Sequence, residues 1–395
     1  MNYHLSRRRF LEVAGITALT QMLLGCDNAA TTFKILFLES SIPPQAISGF
    51  RKIVNEPKNV DFKPQPQLRQ IFDLLLDLQQ NNKSAPKNDS FFQKIFNKSV
   101  VNPNLTTLGD IWLSSAIEQN LIQPLSVKDS VGWQKLPTRW QTLVRRNNQG
   151  KLATEGQIYG APYRWGSTVI AYQSDKLDEL GITVRDWQDL WQPELRDRIS
   201  LLDSPREVIG LTLKKLGRSY NTENLDSVAD LETELFALHK QAKLYSSEYY
   251  LEPLILGDTW VAVGWSTDIL PLLKRYPEIK LIIPQSGTSL WADLWVKPQI
   301  LQSSLMSDSQ TASNVIEEWI DYCWQPQAAK QISLFTNGIS PVLSSLKPEE
   351  IPQDLQDNLY LNSAVLNSDK SEFLLPLEPE TEQQYQDLWL KIRQS

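Results

Sequence analysis

From residue 33 onward, short apolar runs alternate with stretches whose apolar positions recur every three or four residues. Lys34-Ile35-Leu36-Phe37-Leu38 reads as a buried strand, and Pro43-Pro44 then open a helix in which Ile47, Phe50 and Val54 keep helical spacing. Ile71 to Leu78 predicts a second helix, and the polar stretch Gln79 to Ser90 a loop or insertion. Further strands are expected at Asp110-Ile111-Trp112-Leu113, Thr168 to Tyr172, Ile199 to Leu202, Trp260 to Trp265 and Ile279 to Ile283. Helices are expected between them, at Arg206 to Leu216, Val228 to Gln241 and Ala312 to Trp324. Such alternation predicts an α/β fold with largely parallel sheets, in which ligands gather at the carboxyl ends of strands or in a cleft between domains. No internal repeat is visible.

The first 25 residues do not follow this pattern. Ser6-Arg7-Arg8-Arg9-Phe10-Leu11 precedes an apolar run from Val13 to Leu24, broken by Thr17, Thr20 and Gln21. The run falls short of the roughly 20 apolar residues a membrane span needs. It resembles a twin-arginine export signal, with Arg7 and Arg8 as the recognised pair. It ends in Leu23-Leu24-Gly25-Cys26, similar to a bacterial lipobox, in which Cys26 is lipidated and becomes the mature N-terminus. Residues 26–32 then read as a polar tether.

Composition narrows the function. The 395 residues suggest two or three packing units. A mean hydropathy of −0.32 excludes a polytopic membrane protein. There are 39 Lys and Arg against 46 Asp and Glu, a net charge of −7, which argues against nucleic acid as a partner. Residues 1–25 carry three arginines and one glutamate, so their removal deepens the net charge to −9. With two histidines, His4 and His239, and two cysteines, Cys26 and Cys323, zinc fingers, iron–sulfur cages and disulfide frameworks are all but excluded. No metal or cofactor is expected, and Cys323 reads as a buried, small apolar residue.

Three segments that follow strand candidates carry the remaining chemistry: Asp203-Ser204-Pro205-Arg206-Glu207, Trp265-Ser266-Thr267-Asp268 and Trp291-Ala292-Asp293. They hold carboxylates and indoles but no phosphate-binding glycine loop and no nucleophile–base pair. Carboxylates converging with aromatic faces suit an organic cation, through charge-assisted hydrogen bonds and cation–π attraction. Each residue also has a structural reading. Glu207 suits a helix N-terminal dipole, Asp203 and Asp268 suit helix caps, and the tryptophans suit a core. Paired carboxylates could also serve a hydrolase, although no residue pattern selects for one.

Ala161-Pro162-Tyr163-Arg164-Trp165-Gly166-Ser167-Thr168 resembles the V-P-Y-x-W-G-[ST]-T segment of bacterial polyamine-binding proteins, the substrate-binding components of spermidine/putrescine ABC importers. The similarity continues through Asp186 to Pro193, Leu202 to Val208, Leu216-Gly217, Val263-Gly264-Trp265, Trp291-Ala292-Asp293 and Ala328-Ala329. It covers about residues 33–345 and is clearest over 160–295. The resemblance implies a two-lobed periplasmic-binding-protein clamshell with the ligand cleft between its lobes. Lobe one takes 33–166 and 293–365; lobe two takes 167–292 and 366–395. It also implies a monomer that is not an enzyme, anchored by lipid in the periplasm, handing a small cationic ligand to ABC permease subunits in the membrane.

Residue by residue, the resemblance implies Glu207, Asp268 and Asp293 as ammonium partners and Trp265 and Trp291 as walls against the methylene chain. Ser204 stands where spermidine-type members carry an extra acid, which leans the pattern toward a short diamine such as putrescine. Two family aromatics are replaced, by Leu38 and by Ile339 after Gly338, and Glu39 is a candidate compensating carboxylate. The alternatives keep the clamshell with a different cargo (an iron complex, a thiamine-like cation or a sugar) or give it a sensing role without transport. Tyr245, Tyr249 and Tyr250 are the residues an iron site would draw on.

Overall fold

The computed structural model describes residues 33–53, 60–84, 102–299, 309–356 and 369–395. The export signal with Arg7 and Arg8, the lipidation residue Cys26 and the tether lie outside the described residues. The principal strands are β1 (Phe33–Leu38), β2 (Val60–Gln65), β3 (Leu105–Gly109), β4 (Ala161–Gln173), β5 (Ile199–Leu201), β6 (Ala242–Tyr245), β7 (Val261–Trp265), β8 (Ile279–Ile282) and β9 (Ser289–Pro298). The longer helices are α1 (Pro44–Ile53), α2 (Leu68–Ser84), α3 (Pro205–Lys215), α4 (Leu231–His239), α5 (Ser266–Arg275), α6 (Ser309–Cys323), α7 (Pro326–Thr336) and α8 (Pro379–Arg393).

One strand organises the sheet. β4 is a 13-residue run of aromatic, β-branched and small residues, buried along nearly its whole length. Such a strand, covered on both faces, needs no polar alternation. Its first half, Ala161 to Ser167, pairs with β9, and its second half, Thr168 to Gln173, lies between β7 and β8. The strand order is β2-β1-β3-β9-β4-β7-β5-β6, with β8 also on β4. β4 therefore belongs to both halves of the sheet and is the span that carries the chain from one to the other.

The sheet is mixed, not largely parallel as the sequence predicts. β1 runs parallel to β2 and β3, and β5 parallel to β6 and β7. Every pairing of β4, with β7, β8 and β9, is antiparallel, as is β9 with β3. Two neighbouring crossing strands that run in opposite directions impose this at the centre, while crossover helices keep the flanks parallel. The expected strand at Asp110 to Leu113 is instead a 3₁₀ turn over Asp110–Trp112 following β3. The register ends at Gly109 opposite Asp293, and the Asp110 carboxylate then accepts the Ala292 N–H at 2.9 Å. A side chain thus takes the place of the next ladder bond. α2 runs on to Ser84 through the stretch read as loop, because no proline interrupts it before Pro86.

Buried apolar side chains fall into distinct clusters. The largest combines residues 33–165 with 290–355 and centres on Trp140, Trp165, Trp295 and Trp319. A second gathers Trp187, Leu190, Ile209, Leu213 and Tyr220, and α8 adds Tyr385, Trp389 and Ile392. A third holds Val169, Ala171, Tyr250, Leu254 and Ile269. β4 contributes to all three, with Tyr163 and Trp165 in the first, Ile170 in the second, and Val169 and Ala171 in the third. Cys323 is fully buried in the first cluster, and burial pushes its thiol pKa up.

Trp319 is fully buried, its ring 4.9 Å from Phe50 and 4.8 Å from Phe62, centroid to centroid. Trp319→Ala empties the meeting point of α1, β2 and α6, and is expected to cost about 3–5 kcal/mol of stability in urea unfolding. A loss under about 1 kcal/mol would show that this cluster relaxes around the cavity.

Candidate functional site

The crossing of β4 and β9 is where the predicted residues meet. Gly166 pairs with Trp291, Arg164 with Asp293, and Thr168 with Trp265 of β7. A methyl group on Gly166 would overlap both the Trp291 ring and the Ser266 hydroxyl. Glycine is therefore what lets the indole lie flat across the crossing, and Ser266 Oγ accepts the Ser167 N–H at 3.3 Å beside it. Trp265 and Trp291 are both half-buried. Trp265 packs against the third cluster, edge to face with Tyr250 at 6.1 Å, and Trp291 lies by the Arg164 guanidinium.

Asp293 is 2% exposed and forms an ion pair with Arg164, its carboxylate 2.6 Å from one guanidinium nitrogen and 2.8 Å from Nε. Burial raises the Asp293 pKa and Arg164 draws it back; Arg164, whose pKa burial would lower, is held above its ordinary value chiefly by Asp293. The pair is ionised, since a guanidinium does not deprotonate in a protein. The Arg164 guanidinium also lies 5.7 Å from the Trp291 ring centroid, within cation–π range. Its stem packs against Gly338, where a Cβ would strike Arg164 Cγ. The adjacent Ile339 is buried and exchanges backbone hydrogen bonds with Trp165 at 2.9 Å.

Glu207 sits in the first turn of α3, behind Pro205, with basic Lys214 and Lys215 at the far end, an arrangement that suits the helix dipole. It is also 5% exposed, and Ser289 Oγ donates to its carboxylate at 2.7 Å. Burial raises its pKa, opposed chiefly by the Ser289 hydrogen bond. Among the described residues no salt bridge reaches it. Ser289, Trp291 and Asp293 alternate along one face of β9, so Glu207 and Asp293 mark two ends of a stretch of roughly 13 Å.

Asp268 lies in the first turn of α5, and the Tyr250 hydroxyl donates to it at 2.9 Å. Tyr250 reaches it by lying over Gly264, where any Cβ would overlap its ring. Asp268 is exposed as a residue, yet local desolvation raises its carboxyl pKa, opposed first by Tyr250 and then by Arg164. Arg164 thus feels both Asp293 and Asp268.

Other candidates stand apart. Glu39 is exposed in the turn after β1, beside Ser40 at φ 62°, and no hydrogen bond or ion pair among the described residues ties its side chain to this cluster. Ser204 is the N-cap residue of α3 without a side-chain cap, and Asp203 pairs with Arg393 at 3.3 Å instead of capping. α5 begins at Ser266, so Asp268 is inside the helix rather than its cap. The three tyrosines do not form a joint ligand set. Tyr245 bonds to His239 Nδ1 at 3.0 Å, Tyr249 is exposed and Tyr250 serves Asp268.

The profile of the bacterial extracellular solute-binding protein family matches residues 102–362. The chain belongs to this family. Among curated relatives, the spermidine/putrescine-binding periplasmic protein of Salmonella typhimurium is 26% identical over 189 residues, covering 48% of this chain and 51% of the relative. The putrescine/cadaverine-binding protein of Pseudomonas aeruginosa is 31% identical over 149 residues, 35% of this chain and 42% of that one. The chain thus spans about half the length of the curated relatives it matches. A spermidine/putrescine ABC transporter substrate-binding protein of Streptococcus pneumoniae superposes with a TM-score of 0.72 at 18% identity, covering 92% of this chain and 98% of the other. A maltodextrin-binding protein of L. casei superposes at 0.59, with 13% identity and 93% coverage of each. The fold is therefore the two-lobed periplasmic-binding-protein clamshell, and it accommodates unlike cargoes.

Within this solute-binding family member, three participants in the site are not among the sequence candidates. Arg164 lies inside the motif that carries the resemblance, and is the only charged residue between Glu155 and Asp175. Ser289 and Asp110 gave no comparable signal. Asp110 is a buried carboxyl beside Asp293 whose pKa burial raises to about 7. Gly166→Ala is expected to lower the stability of this protein by about 1–3 kcal/mol through the displaced Trp291 ring, read by thermal unfolding. A neutral result would mean that the indole moves aside without cost.

Proposed function

We propose that this chain is the solute-capturing lipoprotein of an ABC importer, exported, lipid-anchored in the periplasm and monomeric, which binds a polyamine of the putrescine type and passes it to the permease without chemical change. The lobes are taken as 33–166 with 293–365 and 167–292 with 366–395, closing about the crossing of β4 and β9. One observation supports the cargo: Asp293 and Asp268 both interact with the Arg164 guanidinium near half-buried Trp265 and Trp291, and the buried carboxylate of Glu207 lies farther along β9, on Ser289. A buried carboxylate held by hydroxyls and without an ion pair among the described residues, as Glu207 is, carries a desolvation cost that an incoming ammonium group relieves. The names of the curated relatives, with spermidine, putrescine and cadaverine among them, support the same class of ligand. Ligand contacts to both lobes would favour the closed form over the open one.

Calorimetric titration with putrescine, spermidine and spermine tests this reading, and absence of heat and of thermal shift with all three removes it. Glu207→Gln is expected to weaken diamine binding roughly 10- to 100-fold, since the charge-assisted hydrogen bond is lost. Binding should also depend on pH. The bound ammonium requires ionised Glu207, whose pKa burial holds above 4.5. Affinity therefore rises with pH through that raised pKa and then levels off, with a proton released on binding in the rising part. Affinity that does not fall as the pH is lowered from neutral to below the ordinary carboxylate range would place the ammonium elsewhere.

A further inference from the structure

We infer that Arg164 is a specificity-determining residue: a resident cation that fills one ammonium seat of the cleft and so limits the ligand to two positive charges. This rests on the polyamine reading above and names the residue that sets ligand length within it. Three carboxylates are set to meet ammonium groups, in two different situations, while a fourth buried acid beside Asp293, Asp110, is turned to the Ala292 N–H at 2.9 Å. Asp293 is satisfied within the chain, paired to Arg164 at 2.6 Å with both side chains under 10% exposed. Glu207 and Asp268 are hydrogen-bonded to hydroxyls, of Ser289 at 2.7 Å and Tyr250 at 2.9 Å. They feel Arg206 and Arg164 respectively only at longer range, with no ion pair to either acid among the described residues.

The guanidinium reproduces what a bound ammonium would do at the Asp293 end. It pairs with the carboxylate through two nitrogens and lies over the Trp291 face at 5.7 Å. Its position is fixed from behind by Gly338, whose missing side chain makes room for the Arg164 stem. A ligand ammonium entering this seat would meet a like charge on a side chain that is 7% exposed, where solvent screens poorly. Two carboxylates then remain for two ammonium groups, and a third amine has no partner. Exclusion by an unfavourable contact is a common means of discrimination between ligands that share most of their contacts.

The experiment compares putrescine and spermidine by calorimetry on the folded full-length protein, its Arg164→Met and Arg164→Gln variants, and the Arg164→Gln/Asp293→Asn pair. Both single variants free the Asp293 seat, and the ratio of spermidine to putrescine affinity is expected to rise at least roughly tenfold. The double variant removes seat and occupant together, so its ratio should stay near that of the parent protein. It also serves if the single variants fail to fold, because it leaves no buried unpaired charge. Two results overturn the inference. One is a parent-like ratio in a folded single variant. The other is a double variant that gains spermidine, which would make Arg164 a steric plug and not a charge. The inference also fails if the parent binds neither amine but a single variant binds spermidine, because the parent's ligand is then not a diamine. If no protein in the set binds either amine, the polyamine reading itself fails, an outcome distinct from an unchanged ratio.

Discussion

A single strand shared by two halves of a sheet constrains everything else in this protein. Hydrogen bonds tie β4 to β9 over its first half and to β7 and β8 over its second, so neither half can shift without straining the crossing. Strand register then decides which residues arrive there. Trp291 is opposite Gly166, Asp293 opposite Arg164, and Trp265 opposite Thr168. The small residue at 166 and the missing Cβ at 264 let the aromatic rings approach closely enough to build walls.

Electrostatics at this crossing follow from burial. A carboxylate taken out of water needs a partner, and the chain supplies different ones to different acids. Asp293 receives a guanidinium; Glu207 and Asp268 receive hydroxyls; Asp110 receives a backbone N–H from Ala292 and sits near neutrality at about 7. Burial raises the pKa of each of these carboxyls. Between the ordinary carboxylate range and these raised values the folded, unliganded protein binds more protons than the unfolded chain. These groups therefore subtract stability as pH rises through that window, and a cationic ligand restores it.

Much of this was legible in the chain. β1, β5, β7 and β8, the second half of β4 and helices α1, α3, α4 and α6 follow directly from apolar periodicity, whereas Ala161 to Ser167 of β4 was not read as strand. The errors have local causes. The Asp110 segment is apolar enough for a strand, yet its carboxylate captures the backbone donor that a continued ladder would have used. The polar end of α2 lacks apolar spacing but also lacks a helix breaker, and helix propensity carried it on to Ser84. The parallel sheet expected from strand–helix alternation gave way at the centre because two crossing strands must run in opposite directions.

The site divides in the same way. Residue types and order along the chain, with the family resemblance, pointed to Glu207, Asp268, Asp293, Trp265 and Trp291 as candidates. The partner each acid would take was not legible, because pairing depends on distances set by strand register across more than a hundred residues: Arg164 meets Asp293 over 129 positions, and Ser289 meets Glu207 over 82. The sequence alone determined an α/β chain with carboxylate–indole segments and the motifs of a solute-binding family. Only the tertiary structure decided that one of those carboxylates is already occupied by the chain's own cation, because ion pairing inside a protein is a property of proximity and burial, and neither is written in a residue's identity.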